Sequence, residues 1–170
     1  MNYCNVALGY PVIAMSRTDW LSTDEMRLWR TFLKASAAVM TNVDASFKKA
    51  HDIGVDDYEV LVHLSEAEGH RLRMSELSAV LLHSRSRLTQ RVDRLEKRSY
   101  VERQKCADDG RGTWAVLTDS GSAALKKAAP DHLVDVRTFF FDHIDTDDVP
   151  ALADALEGVA DQLENKSNDT

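Results

Sequence analysis

The 170-residue chain is short of the residues that punctuate or staple a fold. Seven glycines and three prolines are too few for a loop-rich all-β protein and favour long helices. Two cysteines, Cys4 and Cys106, cannot make a disulfide framework, so nothing supports a small secreted scaffold. No apolar run reaches the ~18 residues of a membrane span, and the apolar patch near the start has no basic residues before it, as a secretory signal would. No phosphate loop, ordered Ser–His–Asp or Cys–His set, or spaced carboxylate pair stands out, so no enzyme chemistry is expected. The six histidines, His51, His63, His70, His83, His132 and His143, show no close ligand spacing; neither a metal nor a cofactor is expected. What remains is a cytoplasmic globular chain of about one domain, whose 44% hydrophobic content is enough for a core of its own.

The net charge of −7 is unevenly spread. Residues 70–111 hold eleven arginines or lysines against six acids, a net +5, which leaves −12 for the rest of the chain. An acidic body repels a polyanion and a basic block attracts one. A solvated, charge-rich helix is the plainer explanation of such a block, so the pattern within it matters more than its sum.

Residues 1–18 show no sustained period and read as a loose tail, in which Met15 leaves open a later start. Ser22 and Glu25 have capping-box spacing. From Met26 through Trp29, Leu33, Ala37, Met40 and Val43 to Phe47, apolar residues step by three or four, which predicts one helix over about 22–50. Gly54 ends it. Asp56 and Asp57 suit the start of a second helix, with Tyr58, Leu61, Val62 and Leu64 as its apolar face. Gly69 closes that helix, and Met74, Leu77, Val80 and Leu81 make a short third one. Ser84 is a good N-cap for a fourth helix to about 98, with Leu88, Val92 and Leu95 as its buried stripe. Short β-prone runs, Tyr100–Arg103 and Trp114–Leu117, flank Asp109-Gly110, a strong hairpin signal. Thr118 or Asp119 starts a fifth helix through Leu125, Ala129, Leu133, Val136 and Phe140 to Ile144, with a kink expected at Pro130. A last helix follows Thr146 or Asp147, carrying Val149, Leu152, Leu156, Val159 and Leu163. The fold class expected is mainly α with a small β-wing: six helices in a winged helix-turn-helix.

Two short helices joined by a tight turn and followed by a hairpin place the second helix where it can enter a DNA major groove. Opposite its buried stripe it presents Ser86, Gln90 and Lys97, flanked by Arg87, Thr89, Asp93 and Arg94. Gln can bond an adenine edge, Arg a guanine edge, and Ser or Thr a base or a phosphate. Arg85 and Arg91 lie nearer the flanks, where phosphate contact is expected. At the hairpin tip, Arg111 between two glycines suits a minor groove. Asp109 reads either as the residue that orients Arg111 or as an ordinary turn residue. The alternative is a polar face that only keeps the domain soluble.

The same residues resemble the MarR (multiple-antibiotic-resistance regulator) family. The likeness runs from Met74-Ser75-Glu76-Leu77 through Ser84-Arg85-Ser86-Arg87-Leu88-Thr89-Gln90-Arg91-Val92-Asp93-Arg94-Leu95-Glu96 to Val101-Glu102-Arg103. It continues through Asp109-Gly110-Arg111 to Val116-Leu117-Thr118-Asp119-Ser120-Gly121, and the helical order from about 20 to 165 agrees. Two positions depart from the pattern: Ser99 stands where the family usually has a glycine, and Gly110 where it often has an arginine. The resemblance implies a single winged-helix regulator domain over 19–165. Its DNA-binding lobe would span about 54–118 and its dimerisation helices about 20–50 and 119–165, followed by a polar tail at 166–170. It implies a homodimer on a pseudo-palindromic double-stranded DNA operator, and a repressor released by a small aromatic or anionic effector. The expected DNA contacts are Ser84, Arg85, Ser86, Arg87, Thr89, Gln90, Arg94, Arg103, Lys105, Asp109 and Arg111.

For an effector pocket, Trp20, Trp29, His63 and Arg85 are the candidates, with core filling as the plainer use of the aromatics and of His63. Redox control would need an activated thiol; Cys106, beside Lys105, is the candidate, and Cys4 lies in the tail. The main competing reading is a winged-helix protein-interaction module without DNA binding.

Overall fold

The computed structural model describes residues 20–105 and 112–168, with side chains described as far as residue 163. Cys4, Cys106, Asp109, Gly110 and Arg111 lie outside the described residues. By its contacts the chain forms two compact units, one ending at Ala37 and one beginning at Ala38. The boundary falls inside the first helix, α1 (Thr23–His51).

In the first unit, the capping box expected at Ser22 is present. The Ser22 N–H donates to Glu25 Oε2 at 2.6 Å, and the Glu25 N–H donates to Ser22 Oγ at 3.2 Å. Two of the amides that a helix start leaves unpaired are thereby satisfied. No described residue of this unit is buried. Leu28, Trp29, Phe32 and Leu33 are between 45% and 70% exposed, with the rings of Trp29 and Phe32 stacked at 6.1 Å.

The second unit continues α1 and adds α2 (Val55–Glu66), β1 (Arg71–Arg73), α3 (Met74–Val80), α4 (Arg85–Lys97), β2 (Val101–Lys105), β3 (Thr113–Leu117), α5 (Asp119–Phe139) and α6 (Val149–Asn168). Single 3-10 turns at Glu68–His70, Phe141–His143 and Thr146–Asp148 link them. The helices match the sequence expectation closely, with one difference: α5, which holds Pro130 within its span, ends before Ile144, which follows a 3-10 turn. A third strand, β1, was not expected. It pairs antiparallel with β3, so the sheet order is β1-β3-β2, with Arg73 opposite Trp114 and Gln104 opposite Trp114 from the other side. Three residues are too few to display a period of two, and Arg-Leu-Arg is not β-prone.

The core gathers Phe47 from α1, Val60, Leu61 and Leu64 from α2, and Leu77 from α3. Leu88, Val92 and Leu95 from α4 join them, with Val101 from β2 and Ala115 from β3, all 2% exposed or less. The α4 stripe expected from spacing is therefore the part of α4 that the core holds. Caps set the ends of the key helices. Ser84 Oγ accepts the Arg87 N–H at 3.3 Å, and Thr118 Oγ1 accepts the Gly121 N–H at 3.0 Å. At the start of α2 the N-cap is Gly54, and the Asp44 side chain of α1 takes the Val55 N–H at 3.1 Å.

Helix α4 ends in a Schellman turn: the Tyr100 N–H reaches Leu95 O at 2.9 Å and the Ser99 N–H reaches Glu96 O at 2.8 Å. That turn needs a left-handed residue, and Ser99 supplies it at φ +59°. Its carbonyl accepts from the Thr118 hydroxyl at 2.6 Å and from that of Ser120, which ties the end of α4 to the start of α5. A glycine is needed close by for a different reason: a Cβ on Gly121 would fall 2.1 Å from Tyr100 O, a contact no real Cβ makes.

Candidate nucleic-acid interface

Helix α4 is 13 residues, about 20 Å at ~1.5 Å per residue, and its two sides differ sharply. Leu88, Arg91, Val92 and Leu95 face inward at 6% exposure or less. Ser84, at its cap, and Arg85, Ser86, Arg87, Thr89, Gln90, Arg94 and Lys97 are exposed. Hydroxyl, amide and guanidinium groups thus share one open side of a helix narrow enough for a major groove. The hydroxyls are partly engaged: Thr89 donates to Arg85 O at 2.8 Å, and Ser84 and Ser86 lie 3.2 Å apart. Arg85 and Thr89 also line a cleft of about 480 Å³ against the sheet, with Arg73, Ser75, Arg103 and Thr113.

The structure corrects the expectation for Arg91. It is 6% exposed and cannot reach a phosphate. Its guanidinium pairs with Asp57 at 3.4 Å and with Asp56, and Asp57 is itself buried. The next turn of α4 adds Arg94, whose Nε and Nη2 donate to the two Asp57 oxygens at 3.2 and 2.7 Å. That hydrogen bond holds the Arg94 pKa above its ordinary value. Arg94 remains partly exposed, but its charge is shared with Asp57. The pairing of α2 carboxylates with α4 arginines was not read from the sequence, where the Asp doublet marks only a helix start. Partners more than thirty residues apart leave no local signal.

Arg103 is likewise engaged: it lies 2.8 Å from Asp93, pairs with Glu96, and donates to Thr89 O at 3.2 Å. Its own N–H reaches Glu96 Oε1 at 3.0 Å, so β2 is clamped to α4. Lys105 ends β2 and is exposed.

In the turn before α4, Leu82 takes a left-handed φ of +50° and is 89% exposed. His83 follows, with its Nδ1 buried and without a hydrogen-bond partner among the described residues. Burial, then the charges of Arg91 and Arg87, push its pKa down against the opposing pull of Asp56.

The effector candidates do not form one described site. Arg85 lines the cleft beside α4, whereas His63 is a half-buried residue of α2 and does not line it. Trp20 and Trp29 belong to the first unit, 73% and 51% exposed. Among the described residues no cluster of His, Cys, Asp or Glu could hold a metal ion, and no helix is long and apolar enough to cross a membrane.

With this geometry in place, comparison with known proteins is specific. Residues 51–112 match the model of the MarR family. AbsC, a MarR family transcriptional regulator from Streptomyces coelicolor, is 36% identical. Its structure matches with a TM-score of 0.79 over 87% of this chain and 99% of AbsC. Sco3205, a MarR family regulator of the same organism solved in complex with DNA, is 34% identical, with a TM-score of 0.80 over 86% of this chain and 92% of that one. The transcriptional repressor MprA of Escherichia coli K12 is 30% identical over 115 residues, 68% of this chain. That alignment spans 65% of MprA, just under two thirds of its length. The chain belongs to the MarR family, a family of transcriptional regulators rather than enzymes, and its fold is the winged helix-turn-helix expected from the sequence.

Proposed function

We propose that the protein is a sequence-specific, double-stranded DNA-binding transcriptional regulator. It acts in the cytoplasm as a homodimer on a pseudo-palindromic operator, and works as a ligand-responsive repressor. The observation that carries this reading is the exposed side of α4, where Ser84, Arg85, Ser86, Arg87, Thr89 and Gln90 stand over a stripe locked in the core. Gln90 and Arg87 are the base readers; Ser84, Arg85, Ser86 and Thr89 serve bases or phosphates. Arg94 and Arg103 contribute positive potential while holding the helix in place. Lys105, Asp109 and Arg111 act from the wing. The Sco3205 complex with DNA and the repressor MprA support the class.

The homodimer is supported by apolar surface that the described residues leave uncovered. On α5 and α6, Leu133, Val134, Leu152, Leu156, Val159 and Leu163 are 38% to 63% exposed, more than a solitary helix pair leaves wet. A two-fold pair would read half-sites about one helical turn, ~34 Å, apart. An effector would act by favouring a dimer whose α4 helices are wrongly spaced. The cleft beside α4 brings Arg73, Arg85 and Arg103 together with Asp93, which pairs with Arg103, so the charge it offers an anion is partly offset.

The test is selection of bound fragments from a random duplex library, followed by Gln90→Ala and Arg85→Ala. Gln90→Ala should relax base preference at one position per half-site, and Arg85→Ala should weaken binding across sequences. A chain that enriches no sequence, with both variants behaving alike, would favour the protein-interaction module instead.

A further inference from the structure

A leucine stands where the turn between α3 and α4 calls for glycine. Helix α3 ends in a Schellman pattern: the His83 N–H reaches Ser78 O at 3.1 Å, and the Leu82 N–H reaches Ala79 O at 3.1 Å. Such a turn needs a left-handed residue, and Leu82 supplies it at φ +50° while 89% exposed. The other described non-glycine residues at positive φ are Asp52, His70 and Ser99, and each makes a polar bond of its own. Asp52 pairs with Arg98 at 2.8 Å, His70 Nδ1 lies 3.0 Å from Ser65 O, and the Ser99 carbonyl holds the start of α5. Leu82 has no polar group in its side chain and almost no burial. A bulky side chain in this region costs stability, and glycine would remove the cost. One exposed leucine is ordinary on a protein surface. One on a strained backbone, repaid by no packing, points to a contact outside the chain.

The turn is held firmly beside this leucine. Ser78 is buried and its Oγ donates to His83 O at 2.6 Å, and His83 Nδ1 is buried. Two residues after Leu82, Ser84 caps α4 by accepting the Arg87 N–H. Leu82 therefore sits at the end of α4 where Ser84, Arg85, Ser86 and Arg87 are exposed. In a helix-turn-helix it is the N-terminal part of the second helix that meets base edges, and Arg85 and Arg87 draw a polyanion to that end. The apolar group that the major groove displays is the C5 methyl of thymine.

We propose that Leu82 is a specificity-determining residue that packs on a thymine C5 methyl in each half-site, beside the bases that α4 reads. Cytosine has no methyl at that carbon, so the contact discriminates without a hydrogen bond. The fixed turn holds the side chain in place before contact, which limits the entropy lost on binding. The inference rests on the DNA-binding reading above.

The test starts from an operator selected by the full chain out of random duplexes. Each thymine is then replaced in turn by deoxyuridine, which removes the C5 methyl and keeps the base pairing. Binding is measured by fluorescence anisotropy for the full chain and for Leu82→Asn, Leu82→Gly and Leu82→Met. At one thymine per half-site the replacement should weaken the full chain about fourfold, the value of one buried methyl. Asparagine and glycine both accept the left-handed turn, so Leu82→Asn and Leu82→Gly should melt at or above the temperature of the full chain. Both should bind the operator more weakly, by about fourfold or more, and no longer distinguish thymine from deoxyuridine at that position. Leu82→Met should keep the distinction. A fold that gains stability while binding is lost is the mark of a contact, which a structural role would not give. No sensitive thymine, an unchanged affinity in Leu82→Asn, or a deoxyuridine effect that persists in it would overturn the contact and leave the α4 reading intact. A leucine that faces a protein instead would give this result. No operator selected by the full chain would overturn both.

Discussion

Helices α4 and α6 carry the same kind of apolar pattern and meet opposite fates. In α4, Leu88, Val92 and Leu95 step by four and three and are at most 1% exposed. In α6, Leu152, Leu156, Val159 and Leu163 step by four, three and four, yet are 38% to 62% exposed. Spacing states that a stripe must be covered; it does not state by what. The first stripe is covered by the chain's own α2, α3 and sheet, and it fixes the rotation of the helix whose far side is the proposed DNA face. The second is covered by nothing among the described residues, which is why a second copy is its proposed cover. Polar groups divide the same way: the arginines of α4 meet the α2 acids across the core's edge.

The sharpest way to break this contrast is to remove the charge that holds α4. Asp57→Ala removes the buried carboxylate that Arg91 and Arg94 share and leaves Arg91 to Asp56 alone; it should cost at most about 3–5 kcal/mol, read as a lower urea midpoint. A stability unchanged by that substitution would show that Asp56 alone satisfies Arg91. Next, Leu95→Ala should cost ~2–5 kcal/mol by opening a cavity. Leu156→Asp should instead leave the unfolding of an isolated chain nearly unchanged and convert the dimer to monomer in sedimentation. A dimer that survives Leu156→Asp would remove α6 from the interface.

A smaller effect sharpens the end of α4. Ser99 adopts its left-handed φ without the freedom of glycine, so Ser99→Gly should raise stability by about 1 kcal/mol, measured by the same denaturation. No gain would mean that its surroundings already relieve the strain. The carbonyl at 99 keeps its bonds from Thr118 and Ser120 in either case.

The smallest expected effect is a pH dependence centred on α5. The His132 ring lies 4.8 Å from that of Tyr58 and 5.8 Å from that of Phe47, and its Nδ1 is buried without a partner among the described residues. Burial pushes its pKa below the ordinary 6.5, with Asp135 opposing. Above pH 6.5 the ring is neutral in folded and unfolded chains alike, so no penalty exists. As pH falls through that value the unfolded chain takes up the proton first, so stability declines until the folded pKa is passed. The fall in melting temperature from about pH 7.5 to about 5.5 should be smaller in His132→Asn. An undiminished fall would assign the effect to other groups, of which His83 is one.

Much of this was legible in the residues. The α4 stripe, the Ser84 and Thr118 caps and the Ser22–Glu25 box depend on neighbours within four residues, and each appears where its spacing placed it. The strand β1 escaped because its three residues owe their conformation to β3, more than forty positions away. Arg91 was misplaced for a related reason. On a helical wheel it borders the stripe and reads as a flank, but Asp56 and Asp57 draw it inward. The face offering Ser86 and Gln90 could be read; the partial neutralisation of Arg94 and Arg103 by Asp57, Asp93 and Glu96 could not.

The sequence by itself determined the helices, their caps and which side of each is apolar, because these follow from a repeat of 3.6 residues and from hydrogen bonds made within a turn. Only the tertiary structure decided which arginines are spent on carboxylates, and which apolar stripes the described residues bury and which they leave exposed. Those outcomes depend on groups brought together from distant parts of the chain, where burial sets the cost of every unpaired charge and uncovered side chain.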